Sequence, residues 1–339
     1  MIALTEVAFC VNFGVKRNEQ ERTPMSNNTT PDILWRTKYA TAYEENGRMV
    51  IRYRFPYSRQ REAELLGSFH LTPEERLPYY QTLSAILERN LMLTDYLAEQ
   101  GVPSILTFDS AYQSQEDNGI ICVYCIPPVP VTPITRSLFA EDCNALTVLD
   151  VFLRLSRIQR DINKSPISPV LRYLDMDDVY LTPDNKILLG GFFYAEANGL
   201  PTPPDYLPDA AAAISQDQLS GLPTTEGTDM RILCRIMWNV FSGLPWDTAQ
   251  TTASMRIPPL YAPAPLLSLL ELGLTGECDN CAAFRKQILQ CRKELAKTEF
   301  AEMTIPFCIP FRREYRFSTE RKKETADSPA PAGDTEEKR

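Results

Sequence analysis

The sequence predicts an α+β protein in two parts: a strand-rich first part with one helix, and a mostly helical second part with one small hairpin. Three observations carry this. Two β-rich runs flank Glu45-Asn46-Gly47 within 39–57, and Asn-Gly is the strongest short hairpin signal. A proline-dense connector, PPVPVTPI at 127–134, separates that region from the second half of the chain. Beyond it, ALTVLDVFLRLSRIQRDIN at 145–163 repeats apolar residues at helical spacing. With 339 residues, 44% of them hydrophobic and 23% charged, the chain can fill about two domains or lobes, and wholesale disorder is excluded.

The elements come in this order. Residues 1–32 read as a polar leader, within which Met25 is a second candidate start. After the hairpin, Thr72-Pro73-Glu74-Glu75 forms a capping box with proline at the first helical position. The helix it opens carries Leu83, Ile86, Leu87, Leu91 and Leu97. Pro78 is expected to kink or restart it, and Gly101 to close it. Two strands are expected at 104–112 and 119–126. Past the connector and the 145–163 helix, VYL at 179–181 and ILLGGFF at 187–193 flank the turn TPDNK. Residues 194–227 are rich in proline, alanine and acid, and no Lys or Arg occurs from Gly191 to Met230. Asp229 is expected to open a buried helix that ends at Ser242-Gly243, with further helical segments at 264–273 and 280–298. The boundaries are a leader at 1–32, a first lobe at 33–128, a second lobe at 129–300, an extension at 301–318 and a tail at 319–339, disordered by composition.

Composition narrows the chemistry. The net charge of −9 is unfavourable for phosphate-backbone binding, so no nucleic-acid partner is expected. His70 is the only histidine, which excludes HExxH metalloproteases and His-rich metal sites and reads as a surface turn residue. The apolar opening MIALTEVAFCVNFGV lacks a basic flank and is too short to span a bilayer, while prolines break the uncharged run at 118–135. No membrane partner is expected. Nine cysteines without a secretion signal read as reduced thiols of a cytoplasmic protein. The pairs Cys122–Cys125 and Cys278–Cys281 lie too far apart in sequence for a zinc signal, and Asp279-Asn280 reads as a turn and helix cap. Trp35, Trp238 and Trp246 read as core or lobe-surface anchors. The run Arg312-Arg313, Arg316, Arg321-Lys322-Lys323 is interleaved with acids and reads as a solvated face.

The segment LRYLDMDDVYLTPDNKILLGGFF aligns without gaps on a protein-kinase pattern, HRDxKPxN followed by a hairpin and DFG. Leu171-Arg172-Tyr173 fall on HRD, Asp178 on the metal-binding Asn, and Gly191-Phe192-Phe193 on DFG. The helix from Asp229, with Leu233, Gly243 and Pro245, is similar to the family's buried large-lobe helix. The hairpin at 39–55 resembles the strands up to the one bearing the ATP lysine. The helix ending near Gly101 sits where the regulatory C-helix sits, and Pro127-Pro128-Val129 where the lobe hinge sits. Over 36–298 the chain thus resembles the protein kinase-like superfamily in a degenerate, pseudokinase form. The resemblance implies a two-lobed kinase-like fold with a small β-rich N-lobe and a mostly helical C-lobe.

The departures bear on activity. The catalytic Asp position is Tyr173, whose phenol is a poor base at neutral pH, with Asp175 the nearest substitute. Gly191 offers no side-chain ligand where the metal-binding Asp belongs, and Asp178 is the remaining metal candidate. The ATP-lysine position is Tyr53, or Arg52 or Arg54 after a one-residue shift; the C-helix Glu is Glu88 or Asn90. No glycine lies between Gly14 and Gly47, so the phosphate cradle is missing. Asp175, Asp177 and Asp178 read as solvated turn acids capping backbone N–H groups. Arg172 matches the arginine that pairs with a phosphorylated activation segment, where Tyr194, Ser215, Ser220, Thr224 and Thr225 are candidate modified residues; it also has six acids between Glu196 and Asp229 to pair with. The expected function is non-catalytic: a protein–protein interaction module, with residues 194–229 as its contact surface and weak nucleotide binding at most. ATP and Mg²⁺ are the only cofactors the resemblance allows. Two alternatives remain: an active atypical Ser/Thr kinase using Asp175 or Asp178 with metal, and a structural scaffold that binds no nucleotide.

Overall fold

Strand alternation and the Asn-Gly turn build the first half. The computed structural model describes residues 32–55, 73–115, 121–140, 143–167, 174–190, 192, 226–244, 260–275, 278 and 280–305. Strands β1 (Ile33–Arg36), β2 (Ala40–Glu45), β3 (Arg48–Phe55), β4 (Ser110–Gln115) and β5 (Ile121–Ile126) form one antiparallel sheet in the order β1-β2-β3-β5-β4. The β2–β3 hairpin turns on Asn46 and Gly47, with φ of 53° and 72°. Both values lie in the left-handed region that a two-residue hairpin turn requires and that Asn and Gly tolerate best. The register pairs Glu45 with Arg48 and Ala40 with Tyr53. On β3, Ile51, Tyr53 and Phe55 are buried on one face, while Arg52 is half-buried and Arg54 exposed on the other.

Helix α1 (Pro73–Glu99) lies between β3 and β4 in sequence and packs on the sheet. Its Leu83 and Leu87 join Ile51, Phe55 and Val123 in one apolar cluster, and Ser84 Oγ donates to Gln113 Oε1 on β4 at 2.8 Å. Pro78 stays inside one continuous helix, contrary to the expected restart. Its missing N–H gives up one bond, the one to the carbonyl of residue 74, within the second turn. Gly101 follows the last turn at φ 75° and lets the chain reverse there. Leu91 is only half-buried; Leu93 takes the inward place.

The expected strand at 104–112 splits in two. Ladder pairing begins only at Ser110, while Ile105 bridges Leu189 in parallel and Leu106 N donates to Leu189 O at 2.9 Å. Residues 104–106 therefore tie the sheet to the second half of the chain.

The second half is helical. Helix α2 (Ala145–Asn163) begins where Asn144 Oδ1 accepts the Thr147 N–H at 3.0 Å. Strands β6 (Thr132–Pro133), β7 (Val179–Leu181) and β8 (Ile187–Leu189) make a small antiparallel sheet. Helix α3 (Glu226–Ser242) is buried nearly all round and forms the centre of this half. It begins three residues before Asp229, so Asp229 is an inward residue and not a cap. Asp229 is 2% exposed, and its Oδ2 accepts from Gln159 Nε2 at 2.6 Å. Helix α4 (Ala264–Leu274) and helix α5 (Cys281–Leu295) complete the packing, α5 capped by Asn280 as expected. Cys281, Phe284, Ile288, Cys291 and Leu295 give α5 its inward stripe. Trp35 and Trp238 are core residues.

The seven described cysteines are buried and in no disulfide; Cys122 and Cys125, three apart on β5, point to opposite faces. Among the described residues no helix is long and apolar enough to cross a membrane. Met25 and the rest of 1–31, Thr72, His70, Trp246, the basic run from Arg312 and the tail from 319 lie outside the described residues.

Candidate functional site

Of the residues singled out by the kinase resemblance, Tyr53 lies where the large sheet faces the β7–β8 hairpin, and Asp178 lies just before β7. Strand alternation separates the three lysine-position candidates by face. Tyr53 points inward and is 3% exposed, whereas Arg52 and Arg54 project from the opposite face of β3. Tyr53 Oη and Tyr180 Oη on β7 form a buried hydrogen bond of 2.9 Å across 127 residues of sequence. Tyr180 is 1% exposed, and burial pushes its phenol well above the ordinary tyrosine range, with the Asp178 charge adding to the effect. It therefore stays protonated at every physiological pH.

The space around this pair is filled from the sheet side. The Trp35 ring lies 6.0 Å from the Tyr180 ring, centre to centre, tilted at 49°. Its indole N–H donates to Val131 O at 2.8 Å, and Val131 N–H reaches Met49 Sδ at 3.4 Å. Both backbone polar groups of Val131, just past the connector's first prolines, are thus taken by side chains of the sheet. Trp35, Tyr53, Leu106, Val131 and Tyr180 belong to one continuous apolar cluster. Gly190 completes the closure. A Cβ there would stand 2.9 Å from the Tyr180 ring and 3.3 Å from Asp178 O, and Gly190 N–H donates to that carbonyl at 2.8 Å. Only glycine allows so close an approach.

The acidic loop beside it is a local cap. Asp175 Oδ1 accepts from Asp177 N–H at 3.2 Å, and Asp178 Oδ2 accepts from Asp175 N–H at 3.2 Å, closing a reciprocal box around the turn Met176–Asp178. Capping was the expected role, and the three acids are half-buried, not fully solvated as expected. Burial, then the Asp175 charge, holds the Asp178 carboxyl well above the carboxylate range. Burial and Asp175 likewise push Asp177 up to about 6, while the hydrogen bond from Thr135 Oγ1 opposes the shift. A carboxylate raised in the fold contributes stability that is present below about pH 4 and lost as pH rises through about 6. Asp177→Asn should therefore remove this dependence and add about 1–2 kcal/mol of stability at pH 7. Urea unfolding of both proteins at pH 4, 5, 6 and 7 checks it; parallel stability curves would show that folding does not raise the Asp177 carboxyl.

Of the two C-helix candidates, Glu88 is exposed and Asn90 is 1% exposed, accepting from Arg89 Nε at 3.0 Å. The inward residue of the two is a neutral amide. Among the described residues, no group of three His, Cys, Asp or Glu side chains is arranged to hold a metal ion. Among the described residues, the candidate lysine position is a phenol already hydrogen-bonded to Tyr180, whose ring packs against Trp35, and no charged side chain is shown there to hold ATP with Mg²⁺. Leu171, Arg172, Tyr173 and Gly191 lie outside the described residues, as do Tyr194, Ser215, Ser220, Thr224, Thr225 and nearly all of 194–229. Sequence reasoning missed Trp35 and Tyr180 as members of this site. Counting from the Asp178 position to Tyr180 could have raised the second; no local pattern marks the first. No family model matches the chain, and no curated protein matches it.

Proposed function

We propose that this chain is a kinase-like protein without phosphoryl-transfer activity, a pseudokinase that acts through protein–protein contacts. The observation that carries the reading is the Tyr53–Tyr180 hydrogen bond, which occupies the phenol at the position the resemblance gives to the ATP lysine. Phosphoryl transfer depends almost wholly on charged groups that position phosphates and metal. Here the described positions offer a neutral phenol, a neutral amide at Asn90 and a carboxyl at Asp178 bound to its own loop.

The order of elements supports the kinase-like architecture: three meandering strands, one helix packed on the sheet, two more strands, a proline connector, a long helix and then a small hairpin. The closed apolar cluster favours the form of this reading in which no nucleotide binds. The alternative of an active atypical kinase using Asp175 or Asp178 is disfavoured, because both carboxyls are engaged in capping the same turn. Seven buried thiols outside any disulfide support a reducing, cytoplasmic location, and the net charge of −9 supports a protein rather than a nucleic acid as partner. Incubation of the full chain with γ-labelled ATP and Mg²⁺ or Mn²⁺ tests the reading. Label incorporation at the level of a heat-denatured control is expected. Metal-dependent incorporation that an Asp178→Asn variant loses would overturn it.

A further inference from the structure

We infer that Trp35, Tyr53 and Tyr180 act as a built-in ligand: they occupy the space between the large sheet and the β7–β8 hairpin and hold the two in one fixed orientation. The inference rests on the kinase-like reading only for the name of the space; the packing itself stands on described residues. Three features distinguish such a plug from ordinary core. Its side chains come from both halves of the chain, β1 and β3 on one side and β7 on the other. Each polar tip is satisfied inside it, Tyr53 and Tyr180 by each other and the Trp35 indole by Val131 O. The backbone nearby is shaped to admit it, since Gly190 leaves the 2.9 Å clearance that any other residue would close. Aromatic rings with satisfied tips are how a bound ligand fills a cleft. Here the chain supplies them itself, so the joint does not open and close on a small molecule.

A chain that carries its own ligand should accept a replacement once that ligand is cut away. Apolar cavities left by such truncation stay dry and bind small aromatics. The test uses the full chain as wild type, Tyr53→Ala and Phe152→Ala, the last a fully buried side chain of the helical core. Each is melted with and without millimolar 4-methylphenol. The expected result is a rise of about 1–2 °C in the midpoint for Tyr53→Ala, larger than for Phe152→Ala, whose cavity offers the phenol hydroxyl no tyrosine partner, and none for the wild type. An equal rise in all three proteins, or none in Tyr53→Ala, would overturn the plug.

Should Tyr53→Ala fail to fold, Tyr53→Phe, Tyr180→Phe and the double variant answer the same question. Each single change leaves one buried hydroxyl without its partner, and the double change removes both. The double variant should therefore melt no lower than the worse single variant. Strictly additive losses would mean that the hydroxyls do not act as a pair, and the plug would fall. Failure here leaves the non-catalytic reading standing, whereas label transfer by the wild-type chain would sink that reading and not the aromatic packing.

Discussion

Gly273→Ala is expected to lower the melting midpoint by about 2–5 °C. Gly273 is buried on α4 where that helix crosses α3. A Cβ built there would lie 1.9 Å from Cys234 Sγ and 3.1 Å from Cys234 Cβ. Helix propensity alone would favour alanine by about 1 kcal/mol. The clash opposes it, because overpacking a close-packed core costs about 1–3 kcal/mol and sometimes more. The neighbour is a core side chain, 0% exposed, with no solvent to move into. The clash should therefore win. Cys234→Ala removes the sulfur but keeps the 3.1 Å contact, so adding it to Gly273→Ala should restore part of the loss and not all of it. Melting of the two single variants and the double variant checks both statements. A Gly273→Ala protein that melts with the wild type would show that the helices stand further apart than described.

Trp238→Ala is expected to cost about 3–5 kcal/mol, enough to leave much of the chain unfolded near body temperature. Trp238 is 1% exposed and sits on α3, within the cluster that also contains α2, α4 and α5 residues. Removing the indole leaves a cavity within a core built by four helices, which cannot all collapse inward at once. Leu244→Ala, 57% exposed just beyond the same helix, should change stability by less than about 0.5 kcal/mol. Denaturant titration of the pair measures the contrast. Similar midpoints for both variants would mean that α3 is not the centre of the fold.

Where local chemistry decides structure, the sequence was readable. Asn46-Gly47 set the β2–β3 turn, and counting from it without a gap reached Tyr53, which lies on the inward face of β3. The apolar period of 145–163 matched α2 residue for residue, and Thr-Pro-Asp-Asn-Lys marked the β7–β8 turn, which closes with Asn185 at φ 60°. Where a distant partner decides, it was not. Strand β1 is four residues long, carries exposed Ile33 and Leu34, and exists because β2 pairs with it. Strand β6 lies in a proline run and is defined by its bonds to β7. Residues 104–106 look like the start of β4 but pair instead with Leu189. The candidate site divides the same way. The acids at 175–178 announce a capped turn, yet their burial depends on chain far away in sequence. Tyr180 reads as one residue of a short strand; only folding brings it to Tyr53.

Aromatic side chains of Trp35, Tyr53 and Tyr180 pack together where sheet and hairpin meet, which on this reading leaves no room for a nucleotide. Thermal unfolding of the full chain with millimolar ATP, with and without Mg²⁺ or Mn²⁺, tests it most directly. A ligand held by the native state at 100 times its Kd would add about 2.7 kcal/mol, readily seen as a shift in midpoint. A full joint predicts that the midpoint stays where it is under all three conditions. A rise that requires ATP and metal together would contradict it.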